Sequence, residues 1–416
     1  MHRSWEQPAK FQNEISDLGY VFSQEFTKNG RDRILEQVAF EWRAKRGEPL
    51  KCKTLLDQKH IEIGRRNVVF RVQFVDGPIW VARLRNPLAN RSILPDNRAI
   101  EMRSMESEVT TMEYVKRHTT IPIPTLFGYD CTYSNPLGCP YLLMEHIDGK
   151  PLPDVVDELG GMTDGQIFKI HAQLANVSLQ LSRLCFPTIG HLYRDRTTNE
   201  VVVGGIVDRK GRELDTFDSA SEFYTRRALL IYHETQRIFA SNANNIDPKL
   251  RELETAYLHT LATPFAVTPE FDKGPFPLQH VDLHRQNVLA DDDWNVVGII
   301  DWSWAGTAPL DSFRPLPFNL AKYILPYDPD NVERHEKLFW RHMENLEGAE
   351  VDLKGFKLTS LRFRASAKIA SILDWYSYPD RRIDDVEELL KHLPPAYTQA
   401  WNEGLKEGVL FGTGHH

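Results

Sequence analysis

The chain is short of cysteine, of basic excess and of long apolar runs, and each shortage removes a class of protein. Its four cysteines, Cys52, Cys131, Cys139 and Cys185, form no CxxC pair and no metal-binding spacing. They are too few for a disulfide framework in 416 residues, which leaves a reducing compartment as the simplest setting. Lys and Arg number 50 against 58 Asp and Glu, a formal net charge of −8. That balance argues against nucleic acid or an anionic membrane as the main partner and is compatible with a cationic substrate. No window reaches the length of a membrane span, and the start Met1-His2-Arg3-Ser4-Trp5-Glu6-Gln7-Pro8 lacks the apolar core of a secretory signal, so an unanchored cytoplasmic protein is expected. Internal repeats, low-complexity tracts and flexible linkers are missing too, so the parts of the chain are expected to pack as one unit. What is present, 41% hydrophobic and 26% charged residues, describes a folded protein long enough for two or more domains. Nothing in the residues sets an oligomeric state.

Local patterns place the elements. Residues 32–46 read as helix after an irregular or partly helical start. The period then changes to two: 68–74 and 79–84 alternate on either side of Val75-Asp76-Gly77-Pro78, the pattern of a hairpin. A helix is expected over 97–118, and its apolar stripe of Met105, Met112 and Val115 also carries Glu108. A carboxylate on a buried helix face needs a cationic partner. The hairpin offers Arg83 or Arg85, two residues apart and therefore on one strand face; the plainer alternative leaves Glu108 solvated at the edge of the stripe. Ile121-Pro122-Ile123-Pro124 closes that helix. An apolar run then leads through Met144, Glu145 and His146 into Asp148-Gly149-Lys150-Pro151. This reads as a hinge whose backbone N–H and C=O groups lie beside an apolar slot suited to a purine. Thr163 reads as the N-cap of a helix to about Leu184, with Ile167, Ile170, Leu174, Val177 and Leu181 on one face. Beyond it come a Gly-broken apolar strand at 201–207, helical patterns at 220–239 and 248–261, and later helices near 332–347, 358–377, 383–392 and 396–407.

The densest chemistry is in His280-Val281-Asp282-Leu283-His284-Arg285-Gln286-Asn287. An Asp and an Asn five apart sit on a tight loop, and a second acid, Asp301, ends the apolar run 296–300. The order loop, strand, turn at Asp291-Asp292-Asp293, strand, acid gathers three oxygen ligands at one end of a hairpin. Phosphoryl transfer from a nucleotide needs such a set: one carboxylate to accept or orient a substrate hydroxyl, and an Asn with a second carboxylate to hold Mg²⁺ against the phosphates. His280-x-Asp282-x-His284 also has the form of a metal-hydrolase ligand run, but the other histidines form no second cluster. A polar turn joining two buried strands is the plainest alternative, and it leaves the upstream pattern as coincidence.

Taken together, these residues resemble the kinase-like fold, most closely the aminoglycoside phosphotransferase and choline kinase group, within a large fungal branch of uncharacterised phosphotransferase-family proteins. The carriers are Trp80-Val81-Ala82-Arg83, Ser107-Glu108-Val109, Ile121-Pro122-Ile123-Pro124, the strand ending in Asp148-Gly149, the loop from His280 to Asn287, and Ile300-Asp301-Trp302 with Pro309-Leu310-Asp311. They span about residues 60–325. The resemblance implies an α+β, two-lobed protein-kinase-like fold: an extension (1–50), a small β-rich N-lobe (51–147), and a larger, mostly helical C-lobe (148–416) with an insert before the catalytic loop. It implies ATP or GTP and Mg²⁺ as cofactors and a small-molecule hydroxyl as acceptor. It makes Asp282 the residue that orients or deprotonates the substrate hydroxyl and Asn287 and Asp301 the holders of Mg²⁺, with His284 or Arg285 helping to neutralise the γ-phosphate, and gives Arg83 the phosphate-gripping place, tied down by Glu108. His280 becomes a structural residue that holds the loop.

The departures from the group narrow the reading. Val281 stands where protein kinases have Arg, and Trp302-Ser303 where they have Phe-Gly, so a small-molecule enzyme is expected rather than a protein kinase regulated through its activation loop. The nucleotide loop has the single glycine Gly64, so Arg65, Arg66 or Asn67 is expected to add side-chain contacts. Arg83 replaces a compact ammonium with a planar fork, and with the thin glycine loop it supports an alternative, a nucleotide-binding scaffold without activity. The acceptor is expected against the C-terminal helices and the insert over 186–278; of the acids Asp374, Asp380, Asp384 and Asp385, Asp374 beside Trp375 and Tyr376 suits a cation best, and a wet helix end is the plainer reading of the same residues.

Overall fold

The computed structural model describes residues 21–56, 60–64, 66–86, 97–158, 162–208, 211–241, 246–313, 329–348, 357–361, 364–375 and 389–406. Its N-terminal part is an antiparallel sheet of six strands: β1 (Cys52–Leu55), β2 (Ile61–Ile63), β3 (Asn67–Phe74), β4 (Ile79–Arg85), β5 (Leu126–Asp130) and β6 (Tyr141–Glu145). They lie in the order β1-β3-β4-β6-β5, with β2 also paired to β3. The expected hairpin is β3–β4. Its turn needs glycine at Gly77, where φ is 107°, a region L-residues avoid.

Alternation along this hairpin makes the sheet two-sided. Val68, Phe70, Val72 and Phe74, with Trp80, Ala82 and Leu84 across from them, face a cluster with Leu35, Val38 and Ala39 of helix α1 (Arg31–Lys45) and with Phe22 and Phe26. Phe26 stacks on Phe70 at 4.4 Å between centroids. The odd positions pair as Asn67 with Arg85, Val69 with Arg83, and Arg71 with Val81, and because opposed residues share a face, these six look the other way, where all but Arg85 line the cleft between the two parts. Helix α2 (Asn97–His118) spans the expected residues and buries Met105, Glu108, Val109, Met112 and Val115.

The C-terminal part is mainly helical. The Thr163 cap is realised as a capping box: its hydroxyl accepts from Gln166 N, and Gln166 Oε1 accepts from the Thr163 amide. Helix α3 (Leu152–Glu158) precedes it, and α4 (Asp164–Arg183) then buries Ile167, Ile170, Leu174, Val177 and Leu181 against α7 (Pro329–Glu347). The strand expected over 201–207 is broken at Gly205 into Val201–Gly204 and Ile206–Val207. Helices α5 (Ala220–Ser241) and α6 (Ile246–Ala262) follow. The helix expected over 358–377 is divided into a turn at Leu358–Leu361 and α8 (Ala365–Trp375). Of the one expected over 383–392, the part up to 388 lies outside the described residues; α9 (Pro395–Lys406) matches the last. The loop-strand-turn-strand-acid order appears as a one-turn helix Arg285–Asn287, strand Val288–Ala290, a turn in which Asp291 accepts from the amides of Asp293 and Asn295, and strand Val296–Ile299.

Candidate active site

The two parts meet over a cavity of about 300 Å³. Its roof is the odd-numbered face of the hairpin, its back wall is β6, and its floor is the loop that carries Asp282 and Asp301. Gly64, Asn67, Arg83, Met144, Glu145 and His146 line it, as do Asp282 and Asp301. Sequence reasoning put these residues in one site from segments more than 200 positions apart.

The choice between Arg83 and Arg85 is resolved by where each ends. Arg83 Nη2 donates to Glu108 Oε2 at 2.5 Å, whereas Arg85, 2% exposed, donates from Nη1 to Asn67 Oδ1 at 3.1 Å. Glu108 Oε2 also accepts from Ser303 Oγ at 3.0 Å, so one buried carboxylate ties the roof to the floor. On its other side Arg83 Nη1 lies 3.5 Å from Asp301 Oδ1. Burial opposes the charge on Arg83, but Glu108 and Asp301 outweigh it and raise its pKa above the ordinary value. Burial likewise works against ionised Asp301; Arg83, a hydrogen bond from Ser303 and His280 overcome it and hold the carboxyl well below the usual range.

The loop is fixed from within. His280 donates from Nε2 to the carbonyl of Ile300 at 3.1 Å, and its ring meets the fully buried Trp302 edge-on at 4.4 Å. It is therefore a structural residue, and burial keeps it neutral by lowering its pKa. The Asn287 side-chain amide donates from Nδ2 to Asp282 O at 2.9 Å, and the backbone carbonyl of Asn287 accepts from Ile300 N at 3.0 Å. That leaves Asn287 Oδ1 and Asp301 Oδ1 buried with no hydrogen-bond partner. Two buried oxygen acceptors without a hydrogen bond, one of them in ion-pair contact with Arg83, are the kind of ligand a hard divalent cation takes. Asp301 adopts φ 59°, in the left-handed region, a conformation that for a non-glycine residue often marks a functional position.

Other expected residues are placed less directly. Gly64 N–H closes a turn on Asn67 O at 2.8 Å, and Arg65 lies outside the described residues. Asn287 and Glu108 sit just behind the wall. His284 caps the turn Arg285–Asn287 through Nδ1 and lies with Nε2 3.8 Å from Asp282 Oδ1; Arg285 is buried. Neither lines the cavity. At the hinge, Glu145 accepts from Thr125 N and Oγ1 at 2.9 and 2.6 Å, which together outweigh its burial and lower its pKa. His146 is kept neutral by burial and by Arg71. Asp374 and Trp375 fall at the end of α8, with side chains outside the described residues.

The cavity also holds residues that sequence reasoning missed. Arg71 lines it, and strict alternation from Val69 would have found it. Ser303 and Trp304 line it as well, with the Arg66 guanidinium 5.1 Å from the Trp304 ring centroid; no local pattern announces that contact. Gly149 lies where a Cβ would meet Val297 Cγ2 at 2.5 Å, so glycine lets the hinge descend onto the floor hairpin.

With this geometry in hand, comparison with known proteins gives the class. The chain belongs to the phosphotransferase enzyme family, whose sequence model matches residues 57–311. It is 28% identical over 133 residues to a subtelomeric hrmA-associated cluster protein of Aspergillus fumigatus, covering 32% of this chain and 24% of that one. It is 23% identical over 257 residues to the clavilactone A biosynthesis cluster protein Y of Ampulloclitocybe clavipes, covering 58% and 59%. The chain thus spans less than two thirds of the length of these relatives. Among solved structures, a Plasmodium vivax ethanolamine kinase overlays with TM-score 0.43 at 12% identity, covering 84% of each chain. No helix among the described residues is long and apolar enough to cross a membrane.

Proposed function

We propose that the protein is a small-molecule kinase that moves the γ-phosphoryl group of ATP or GTP to a hydroxyl, with Mg²⁺ bound between Asn287 and Asp301. The observation that carries this reading is the convergence of Arg83, Asp282 and Asp301 on one cavity, with Glu108 holding Arg83 in place. The base lies against Met144 and the hinge backbone, between Val69 and Val81 above and Leu289 below, all of which line the cavity. Arg83 engages the phosphates. Mg²⁺, when bound, neutralises the charge that develops on them. Asp282 orients the acceptor hydroxyl and takes its proton as the new O–P bond forms; the bond from phosphorus to the nucleoside diphosphate breaks, and ADP or GDP leaves with the electron pair. Fixed groups do most of this work by position and electrostatics.

A nucleotide-binding protein without transfer is favoured by one observation. The Arg83 fork already reaches Asp301, and such a contact, if kept when nucleotide binds, would hold the acid away from the metal. Thermal stabilisation by Mg–ATP, by ATP alone and by GTP tests binding. Coupled ADP release across a panel of hydroxyl compounds tests transfer. Stabilisation with no turnover of any acceptor would favour the scaffold; no stabilisation by any nucleotide would exclude both readings.

A further inference from the structure

A second cavity of about 130 Å³ lies across the catalytic loop from the first. The two share Trp304, and consecutive loop residues divide them: Asp282 lines the cleft and Val281 the second cavity. The outer wall comes from the insert that precedes the loop, and it is mostly apolar: Ile206, Leu214, Phe223 and Leu230, opposite Val281 and Trp304. Val281 is 47% exposed, an apolar side chain bared one position before the proposed catalytic acid.

The ionic groups of this wall are matched to one another. Among the described lining residues the one carboxylate is Asp208, and Arg212 holds it from Nε at 2.5 Å while its Nη1 reaches Glu234 Oε2 at 2.6 Å. The wall's second guanidinium, Arg227, sits 5.7 Å from the Phe223 ring centroid. His191 is neutral, its pKa pushed down to about 4 by burial and Arg103 against the pull of Asp208. An ammonium entering here would meet arginines and no carboxylate with capacity to spare.

We propose that this cavity is the acceptor site and that the acceptor is a compact, uncharged, largely apolar alcohol, of the size of a single ring or short branched chain at its hydroxyl end. The inference rests on the kinase reading above. Pockets for drug-sized ligands measure roughly 300–1,000 Å³, so at about 130 Å³ this one takes a compact group rather than a whole polycationic sugar or macrocycle, and the paired ions select against a cationic head. With the hydroxyl end projecting past the shared Trp304 to Asp282 in the cleft, the transfer step is the one already given, the alcohol oxygen gaining phosphorus and its proton passing to Asp282.

Ligand-observed NMR on the full chain, with and without Mg–ATP, tests this with 2-phenylethanol, cyclohexylmethanol, choline and kanamycin, alongside ADP release. The two apolar alcohols are expected to contact the protein and at least one to accept phosphate, with choline and kanamycin silent. Leu230→Glu is expected to raise the apolar acceptor's KM at least tenfold while Mg–ATP stabilisation is kept; Leu230→Gln, a milder change, serves if the first variant unfolds. Preference for choline or kanamycin, silence from both apolar alcohols, or an unchanged KM in both Leu230 variants would overturn the inference. Contact by the alcohols without any nucleotide stabilisation would instead defeat the kinase reading and leave the cavity's chemistry standing.

Discussion

The two cavities flank the same loop and treat charge in opposite ways. In the cleft, Asn287 Oδ1, Asp301 Oδ1, Glu108 Oε1 and Arg83 Nε are buried without hydrogen-bond partners. In the insert cavity the charged wall is closed on itself, Arg212 spanning two carboxylates. A protein tolerates unsatisfied buried polar atoms at a cost of about 1–3 kcal/mol each, so their concentration on one side marks where ionic ligand chemistry is expected. On the other side Arg212 is paired internally, and the remaining wall is mostly apolar, with Gln279, Thr307 and Ser312 as its neutral polar groups.

The largest expected effect separates chemistry from binding in the cleft. Asp282→Ala should lower transfer by about 10²–10⁴-fold, the usual range for a positioned proton acceptor, with Mg–ATP stabilisation retained in a thermal-shift assay. Undiminished transfer would mean that the acid is not catalytic. Next in size is Glu108→Gln. Removing one charge of a buried pair costs about 3–5 kcal/mol, so a fall of that order in chemical denaturation is expected, together with loss of the nucleotide response as Arg83 and Ser303 lose their common anchor.

Acid should distinguish regions in a different way. His171, in the α4–α7 packing, has its pKa pushed down to about 3 by burial, His335 and His342; His191, on the insert cavity wall, is pushed down to about 4. Both are neutral in the folded state while the unfolded chain titrates near 6.5. Their contribution is therefore fully present above about pH 6.5 and is lost as the pH falls towards 4. Melting temperature should decline through that window, and less steeply in His171→Leu. The smallest effect is expected from Arg212→Met. Its partners are partly solvated, so the stability loss should be about 1 kcal/mol or less, but Asp208, still accepting from the amide of residue 212 and no longer facing that guanidinium, should make the insert cavity accept choline, as read by the same NMR measurement. If Glu108→Gln and Arg212→Met behaved alike, the contrast between the two cavities would collapse.

Much of this was legible in the sequence because it rests on short-range rules. The alternation of β3 and β4 announced which residues face the cleft, the stripe on α2 announced Glu108, and Thr163 with Gln166 announced the start of α4. Chemistry at fixed spacing did the same for Asp282, Asn287 and Asp301, which the fold brings to one floor. What escaped depends on contacts between distant segments. Ser303 meets Glu108 across 195 positions, and residue Gly306 pairs with His191 to bring the insert beside the loop. The acceptor site expected at Asp374 falls on side chains outside the described residues, while the cavity next to the loop is built by β-strands and α5 of the insert, whose apolar residues look like any other core.

The contact between Arg83 and Asp301 has one more consequence. Asp301 Oδ1 lies 3.5 Å from Arg83 Nη1, so a polyphosphate bound as proposed would not associate with a bare cation but would compete with a carboxylate already paired to it. Binding is then an exchange of counter-charges within a closed set, and added salt, which screens free charges most strongly, should weaken nucleotide binding far less than the number of phosphates alone would suggest.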